Sequence, residues 1–194
     1  MIAMNKKELR RYLRGQYPGA DERERQSDLL CRNILKSGMY QSARVIGGYM
    51  ALPREADITP VLLDALRQGK TIALPLCGDA PHMTLRRVGS LDELVKGAYG
   101  ILAPHQDAPV IPVQEIDLLL VPLEGIDRQG FRLGKGGGYY DCVLSAARVP
   151  TLGCALNWQW TEAVPHEEWD VRLNACADCN GIHYFDINNE RTHL

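Results

Sequence analysis

The sequence predicts an α/β fold: a three-layer α/β/α domain whose helices cover both faces of a mostly parallel, Rossmann-like sheet. Three observations carry this. Apolar runs of strand length alternate with helical patterns along most of the chain, as in a layered fold whose sheet is largely parallel. Residues 117–121, Asp-Leu-Leu-Leu-Val, have the near-continuous apolar character of a strand covered on both faces. Residues 43–69 read as strand, loop and helix in succession, which is half of a parallel crossover unit.

Taken in order, Asn5-Lys6-Lys7-Glu8 is a capping box opening a helix that places Leu9, Tyr12 and Leu13 on one face. Lys6 and Arg10 lie four apart and share another face. A second helix is expected over 21–37, with Leu29, Leu30, Ile34 and Leu35 inward and Gly38 as its stop. Residues 43–50 read as a buried strand despite Gly47 and Gly48, which suit a close approach by another backbone or a ligand. A loop over 52–57 leads to Thr59-Pro60, an N-cap followed by proline in the first turn, and this helix ends at Gly69. Strands are expected at 70–76, 82–88 and 151–156, and Ser90-Leu91-Asp92-Glu93 forms a second capping box.

Size and charge narrow the classes. The 194 residues suffice for one well-buried domain and are few for two, so a single domain spanning 1–194 is expected. Net charge is −2, with both signs spread along the chain, which argues against a general nucleic-acid or membrane-surface binder. No apolar run approaches the ~20 residues of a spanning helix. The N-terminus is a charged helix pattern without a signal-peptide core. A cytoplasmic protein, monomeric or a weak homodimer, is expected. The six cysteines sit mostly in apolar segments of a chain large enough to need no disulfides, and read as free thiols. Cys176-Ala177-Asp178-Cys179 lacks the second pair of a zinc site and the strand-to-helix context of a redox pair. His82, His105, His166, His183 and His193 show no catalytic spacing. Trp158, Trp160 and Trp169 are candidates for stacking on a flat heterocycle, against the commoner role in packing.

The chemistry concentrates after the strand at 117–121, which Pro122 closes. Between Gly125 and Gly138 six glycines are interleaved with Arg128, Arg132 and Lys135, so a backbone free to approach a ligand is flanked by cations. Tyr139-Tyr140-Asp141 then opens an apolar helical segment running to Ala147, placing the glycines at a helix N-terminus, where N–H groups and the dipole favour an anion. This is no Walker A loop: Gly130-Phe131-Arg132-Leu133-Gly134-Lys135-Gly136 is one residue short and lacks the Ser or Thr for Mg²⁺. Nor is it a dinucleotide fingerprint, since the third glycine counted from Gly134 falls on Tyr139. A flexible surface hairpin is the competing reading. The loop after the first strand lies at that strand's C-terminal end, where open α/β sheets bind ligands, which makes Met50 and Glu55 candidate walls of a substrate pocket.

Arg132-Leu133-Gly134-x-Gly136-x-Gly138-Tyr139-Tyr140-Asp141, preceded by an apolar strand ending in proline and by Asp127, resembles the signature of the 5-formyltetrahydrofolate cyclo-ligase family. Lys6-x-x-x-Arg10, Glu55-x-Asp57 and Pro165-x-Glu167-x-x-Asp170 match that family's order and approximate spacing, so the resemblance spans most of the chain. It implies ATP- and Mg²⁺-dependent conversion of 5-formyltetrahydrofolate to 5,10-methenyltetrahydrofolate, through phosphorylation of the formyl oxygen and attack by N10. It also implies roles by position. Lys6, Arg10, Arg132, Leu133, Gly134, Lys135, Gly136, Gly137, Gly138, Tyr139 and Tyr140 surround the nucleotide. Met50, Glu55 and the stretch from Lys135 to Tyr139 face the folate, with Glu55 accepting hydrogen bonds from the pterin. Arg132, Lys135 and Tyr140 act in catalysis, and Asp141 and Asp170 hold Mg²⁺. Read without the resemblance, Lys6 and Arg10 are solvated surface charges and Glu55 an exposed carboxylate.

The chain departs from the family at Ala103, where relatives often carry Glu, at Asn174 and Ala177-Asp178, and at Lys135 in a variable position. Gln159 sits where relatives commonly have Gln. Two alternatives stay open: a divergent nucleotide- and folate-binding paralogue without turnover, and an enzyme of other chemistry on a related scaffold.

Overall fold

The computed structural model describes residues 4–97, 100–146 and 148–186. Helices α1 (Lys6–Gly15), α2 (Ala20–Lys36) and α3 (Gly38–Ser42) precede β1 (Val45–Gly47), and α4 (Thr59–Arg67) leads into β2 (Thr71–Cys77). Next come β3 (Met83–Val88), β4 (Val95–Lys96), β5 (Leu102–Ala103), β6 (Val110–Ile111) and β7 (Leu118–Val121). A small hairpin, β8 (Gly125–Ile126) and β9 (Arg132–Leu133), is followed by α5 (Tyr139–Ala146), β10 (Thr151–Cys154), β11 (Ala175–Asp178) and β12 (Gly181–Tyr184).

Eight strands form one sheet in the order β12-β11-β10-β7-β1-β2-β3-β6. The run from β11 to β2 is parallel throughout, and antiparallel strands close both edges. The sheet is therefore mostly parallel, as predicted. Strand order reverses direction between β7 and β1, since β2 follows β1 on one side and β10 follows β7 on the other. That reversal is the place where open sheets leave a crevice beyond their strand ends.

Period-2 alternation sorts the core. Leu118 and Leu120 of β7 join Ile72 and Leu74 of β2 in a cluster with Leu30 and Ile34 of α2 and Val61 and Leu62 of α4. Leu119 and Val121 face the opposite way, onto Val143 and Leu144 of α5. A leucine fully removed from water contributes roughly 1.5–3 kcal/mol, and all four β7 residues are fully buried. Such a strand cannot shift register without losing both cores. Asp117 fixes its start, accepting hydrogen bonds from the Arg44 and Val45 N–H groups at 2.8 and 2.9 Å. These backbone donors hold its carboxyl below the usual aspartate range.

Several local expectations are corrected. The strand expected over 43–50 is regular only at Val45–Gly47, and its glycines accommodate core side chains. A Cβ on Gly47 would lie 2.6 Å from Leu119 Cδ1, and one on Gly48 2.7 Å from Leu62 Cδ2. Neither leaves room for a ligand. Gly38 does not simply stop α2, because Ser37 ends it and its Oγ caps α3 by accepting from Tyr40 N. Thr59 is the first helical residue of α4 rather than its cap, and Asp57 Oδ1 takes its N–H. Ser90 opens a single 3-10 turn, Leu91–Glu93, rather than an α-helix. In α1 the capping box forms as read and Leu9 and Leu13 are buried, but Tyr12 is exposed.

Candidate active site

The C-terminal ends of three neighbouring parallel strands open into one cavity of about 440 Å³. Tyr49 and Met50 follow β1, Pro75 to Cys77 end β2, and Pro122 and Leu123 follow β7. Much of the wall is apolar. Its polar contribution comes from Glu55 and from the loop running from Arg132 to Asp141, so the glycine stretch and the Glu55 loop line one space. Ile101, Leu102 and Ala103 of the β5 segment close another side. The sequence marked these positions only as a departure at Ala103.

The glycine loop is built, not loose. Buried Asp127 accepts from Gln129 N and Phe131 N through Oδ1 at 2.9 and 3.0 Å. Its Oδ2 accepts from Val164 N at 2.9 Å. That ties the hairpin turn to the segment carrying the acidic turn. Gly136 and Gly138 adopt φ of +101° and +72°, a region side chains with a Cβ rarely occupy. In α5 Cys142 N donates to Gly138 O, and the first turn of any helix presents backbone N–H groups that its i→i−4 ladder does not use. Together with the dipole they favour negative charge there. Tyr139 Oη donates to Gly78 O at 3.3 Å, joining the loop to the β2–β3 turn.

Helix α1 lies against this loop. Arg10 Nε donates to Gly134 O at 2.7 Å, and its guanidinium sits beside Gly136. Lys6 Nζ pairs with Asp170 Oδ2 at 2.6 Å, and the same oxygen accepts from Glu167 N at 2.9 Å within the acidic turn. Burial pushes the Asp170 carboxyl up, but Lys6, the Glu167 N–H and the Arg132 charge together hold it below its ordinary range.

Arg132 is the centre of the cluster. Its side chain is only 5% exposed and pairs with Asp141, it lies over the Tyr140 ring at 5.9 Å, and Asp170 adds a second negative charge nearby. Burial lowers its pKa while these carboxylates oppose the shift; an arginine remains cationic. Arg132 Nε and Tyr140 Oη are buried without a hydrogen-bond partner among the described residues. Burial also pushes the Tyr140 phenol well up, so it stands as a neutral donor. Unsatisfied buried donors lining a cavity point to a ligand that supplies acceptors. Tyr140→Phe is therefore expected to leave the urea midpoint unchanged or slightly raised while lowering kcat/KM about tenfold, one lost hydrogen bond of ~1.4 kcal/mol. A purely structural phenol would reverse that pattern.

Lys135 projects toward the other half of the cavity. Its ammonium lies 3.1 Å from Glu55 Oε1 and 3.8 Å from Glu124 Oε1. Glu55 is buried rather than exposed, and its Oε2 accepts from Leu52 N at 2.8 Å. Glu124 and Arg14, its partner at 2.9 and 3.2 Å, were not singled out in the sequence.

Asp141 and Asp170 therefore flank one guanidinium. The described residues hold no cluster of three His, Cys, Asp or Glu, so a metal held by protein alone has no site among them. Two carboxylate oxygen donors beside an anion loop do fit a hard divalent ion that takes its remaining ligands from phosphate and water.

Other candidates, apart from Cys77 at the end of β2, lie away from the cavity. Among the tryptophans, Trp158 packs edge-on to Tyr17 and Trp160 to His183, while Trp169 is 75% exposed; none lines the cavity. The cysteines of the described chain are free thiols, and Cys176 is buried within the core. His166 stacks on Phe131 and His183 pairs with Asp178; His193 and Ala147 lie outside the described residues. Asn174 Oδ1 accepts from Thr151 N and Oγ1, both at 2.9 Å, a structural task. Gln159 is buried, accepting from Leu156 N and donating to Leu123 O, so it braces the cavity floor. No described helix is long and apolar enough to cross a membrane.

Comparison with known proteins gives a consistent result. Residues 3–177 match the model of the 5-formyltetrahydrofolate cyclo-ligase family. The chain is 32% identical to the 5-formyltetrahydrofolate cyclo-ligase of Escherichia coli strain K12 over 139 residues, covering 69% of this chain and 76% of that one. It is 29% identical to the mouse 5-formyltetrahydrofolate cyclo-ligase over 168 residues, covering 80% and 83%. The solved structure of Aquifex aeolicus 5,10-methenyltetrahydrofolate synthetase superposes with a TM-score of 0.83 at 26% identity, covering 98% of this chain and 100% of that one.

Proposed function

The chain is an enzyme belonging to the 5-formyltetrahydrofolate cyclo-ligase family, and from that premise we propose that it converts 5-formyltetrahydrofolate to 5,10-methenyltetrahydrofolate with ATP and Mg²⁺, the whole chain acting as one domain. The observation that carries this reading is the pairing of an anion-favouring loop with a largely apolar cavity whose polar groups include the buried Glu55 carboxylate and the cations Arg132 and Lys135.

The formyl oxygen of an N-formyl group is a poor leaving group. Transfer of the γ-phosphoryl group of ATP to that oxygen releases ADP and makes the formyl carbon electrophilic. N10 then attacks it, closing the ring; the C–O bond to phosphate breaks, inorganic phosphate departs, and the N10 proton is released to solvent. No protein nucleophile takes part; the protein positions the reactants and stabilises phosphoryl charge.

In this reading the N–H groups of residues 136–140 and the guanidinium of Arg132 meet the phosphates, with Lys6 and Arg10 of α1 on the outer side. The Tyr140 phenol donates to a phosphoryl or formyl oxygen. Glu55 accepts from the pterin, beside the apolar wall that includes Met50. Asp141 and Asp170 hold Mg²⁺, which when bound supplies positive charge to the phosphates.

The experiment is to follow formation of the methenyl chromophore from 5-formyltetrahydrofolate with Mg-ATP. Stoichiometric product with ADP and phosphate supports the proposal. Binding of both ligands without product favours the paralogue reading, for which Ala103 on the cavity wall, in place of the acidic residue frequent in relatives, is the specific observation. A chain of this function is proposed to work in the cytoplasm as a monomer or weak dimer.

A further inference from the structure

Lys135 stands between the two halves of the cavity, and its present partner is the group proposed to recognise the folate. Glu55 is a buried carboxylate, its side chain 7% exposed against 36% for Lys135. One of its oxygens accepts from the Leu52 N–H. The other faces the Lys135 ammonium at 3.1 Å. A carboxylate that recognises adjacent ring N–H and amino donors presents both oxygens to them. With Lys135 in place, an ammonium stands where one of those donors would approach.

The ammonium is also held in reserve. Glu124, 3.8 Å away, is clamped by the Arg14 guanidinium through two hydrogen bonds and so is a fixed second anchor. Lys135 itself belongs to the glycine loop, between Gly134, whose carbonyl Arg10 holds, and Gly136. Its long, partly exposed stem lets the ammonium move without rebuilding the loop. A triphosphate on that loop offers it a stronger partner than one carboxylate.

Resting on the functional reading above, we propose that Lys135 couples the two ligand sites: its ammonium obstructs Glu55 until an anionic nucleotide draws it away, so nucleotide binding raises the affinity for the folate. By linkage the folate raises nucleotide affinity by the same factor. Buried Glu55, once released, has a strong need for donors, and the incoming pterin supplies them.

The test measures the dissociation constant of 5-formyltetrahydrofolate by calorimetry, with and without a non-hydrolysable Mg-ATP analogue, for the wild type, Lys135→Met and Lys135→Arg. In the wild type the analogue is expected to tighten folate binding about tenfold, a typical coupling magnitude. Lys135→Met is expected to bind folate in the absence of nucleotide about as tightly as the wild type does with it, leaving less than about twofold coupling. Lys135→Arg keeps the ion pair and retains most of the coupling. Thermal melts verify that each variant is folded. Wild-type coupling that persists in folded Lys135→Met, or its absence from a wild type that binds both ligands, overturns the proposal. If the wild type binds neither ligand, the functional reading fails, and the coupling with it.

Discussion

Arg132→Ala is expected to lower kcat/KM by well over tenfold, with KM for ATP raised, while the sheet remains folded. One charge-assisted phosphate contact is worth at least ~1.5 kcal/mol, or more than a factor of ten. The surroundings raise the expected loss. Arg132 compensates Asp141 directly and Asp170 at longer range, so its removal leaves two carboxylates facing the site where phosphate must enter. Its guanidinium also packs against Gly134, where a Cβ would lie 2.6 Å from Nη1; truncation therefore loosens the loop as well. Arg132→Lys restores the charge without the planar fork and should recover only part of the rate. Steady-state kinetics with circular dichroism on the same samples decide the matter: unchanged kinetics in a folded variant would remove Arg132 from the site.

Asp141→Ala is expected to abolish ATP-dependent turnover and leave the fold intact. The Asp141 side chain is 55% exposed and lies in the first turn of α5, so its loss costs little packing. The variant removes the more accessible of the two proposed Mg²⁺ ligands and the direct partner of Arg132. Asp170, whose Oδ2 is shared by Lys6 and the Glu167 N–H, then remains as the single proposed carboxylate ligand. The check is turnover across a Mg²⁺ titration. Lost activity that high Mg²⁺ partly recovers would agree with the assignment, whereas full activity at every concentration would refute it.

The parts of the fold set by local pattern were legible in the sequence. The apolar run at 118–121 read as a strand covered on both faces, and it is one; Asn5 with Glu8 read as a capping box, and it forms at the start of the helix opening at Lys6. Gly47 and Gly48 misled because glycine reports close approach without saying by what; here it is Leu119 and Leu62. The glycine loop stood out as a candidate anion site because glycines and cations fall next to one another in sequence. Even so, Arg132 and Leu133 pair back on Ile126 and Gly125 in a hairpin, and Asp127 ties its turn to Val164, 37 positions away, a contact with no local signal.

The least legible part was the charge network. Glu124 looked like a loop residue, and its clamp by Arg14 spans 110 positions. Without the resemblance Lys6 and Arg10 read as solvated charge, yet α1 lies against the loop, with Arg10 reaching Gly134 across 124 positions. Nothing in the spacing of Lys135 announced an ion pair with Glu55. Family resemblance implied roles for Lys6, Arg10, Glu55 and Lys135, but the sequence could not supply their partners, because ion pairs between distant segments depend on tertiary packing.

The central claim is that residues 134–140, with Arg132 and α1, cradle a nucleoside triphosphate beside the Glu55 cavity. Its most direct test is titration calorimetry of a non-hydrolysable Mg-ATP analogue into the wild type and into folded Arg132→Ala. The account predicts one site per chain in the wild type and a dissociation constant weakened more than tenfold in the variant. No heat of binding in the wild type, or equal affinity in the two proteins, would contradict it.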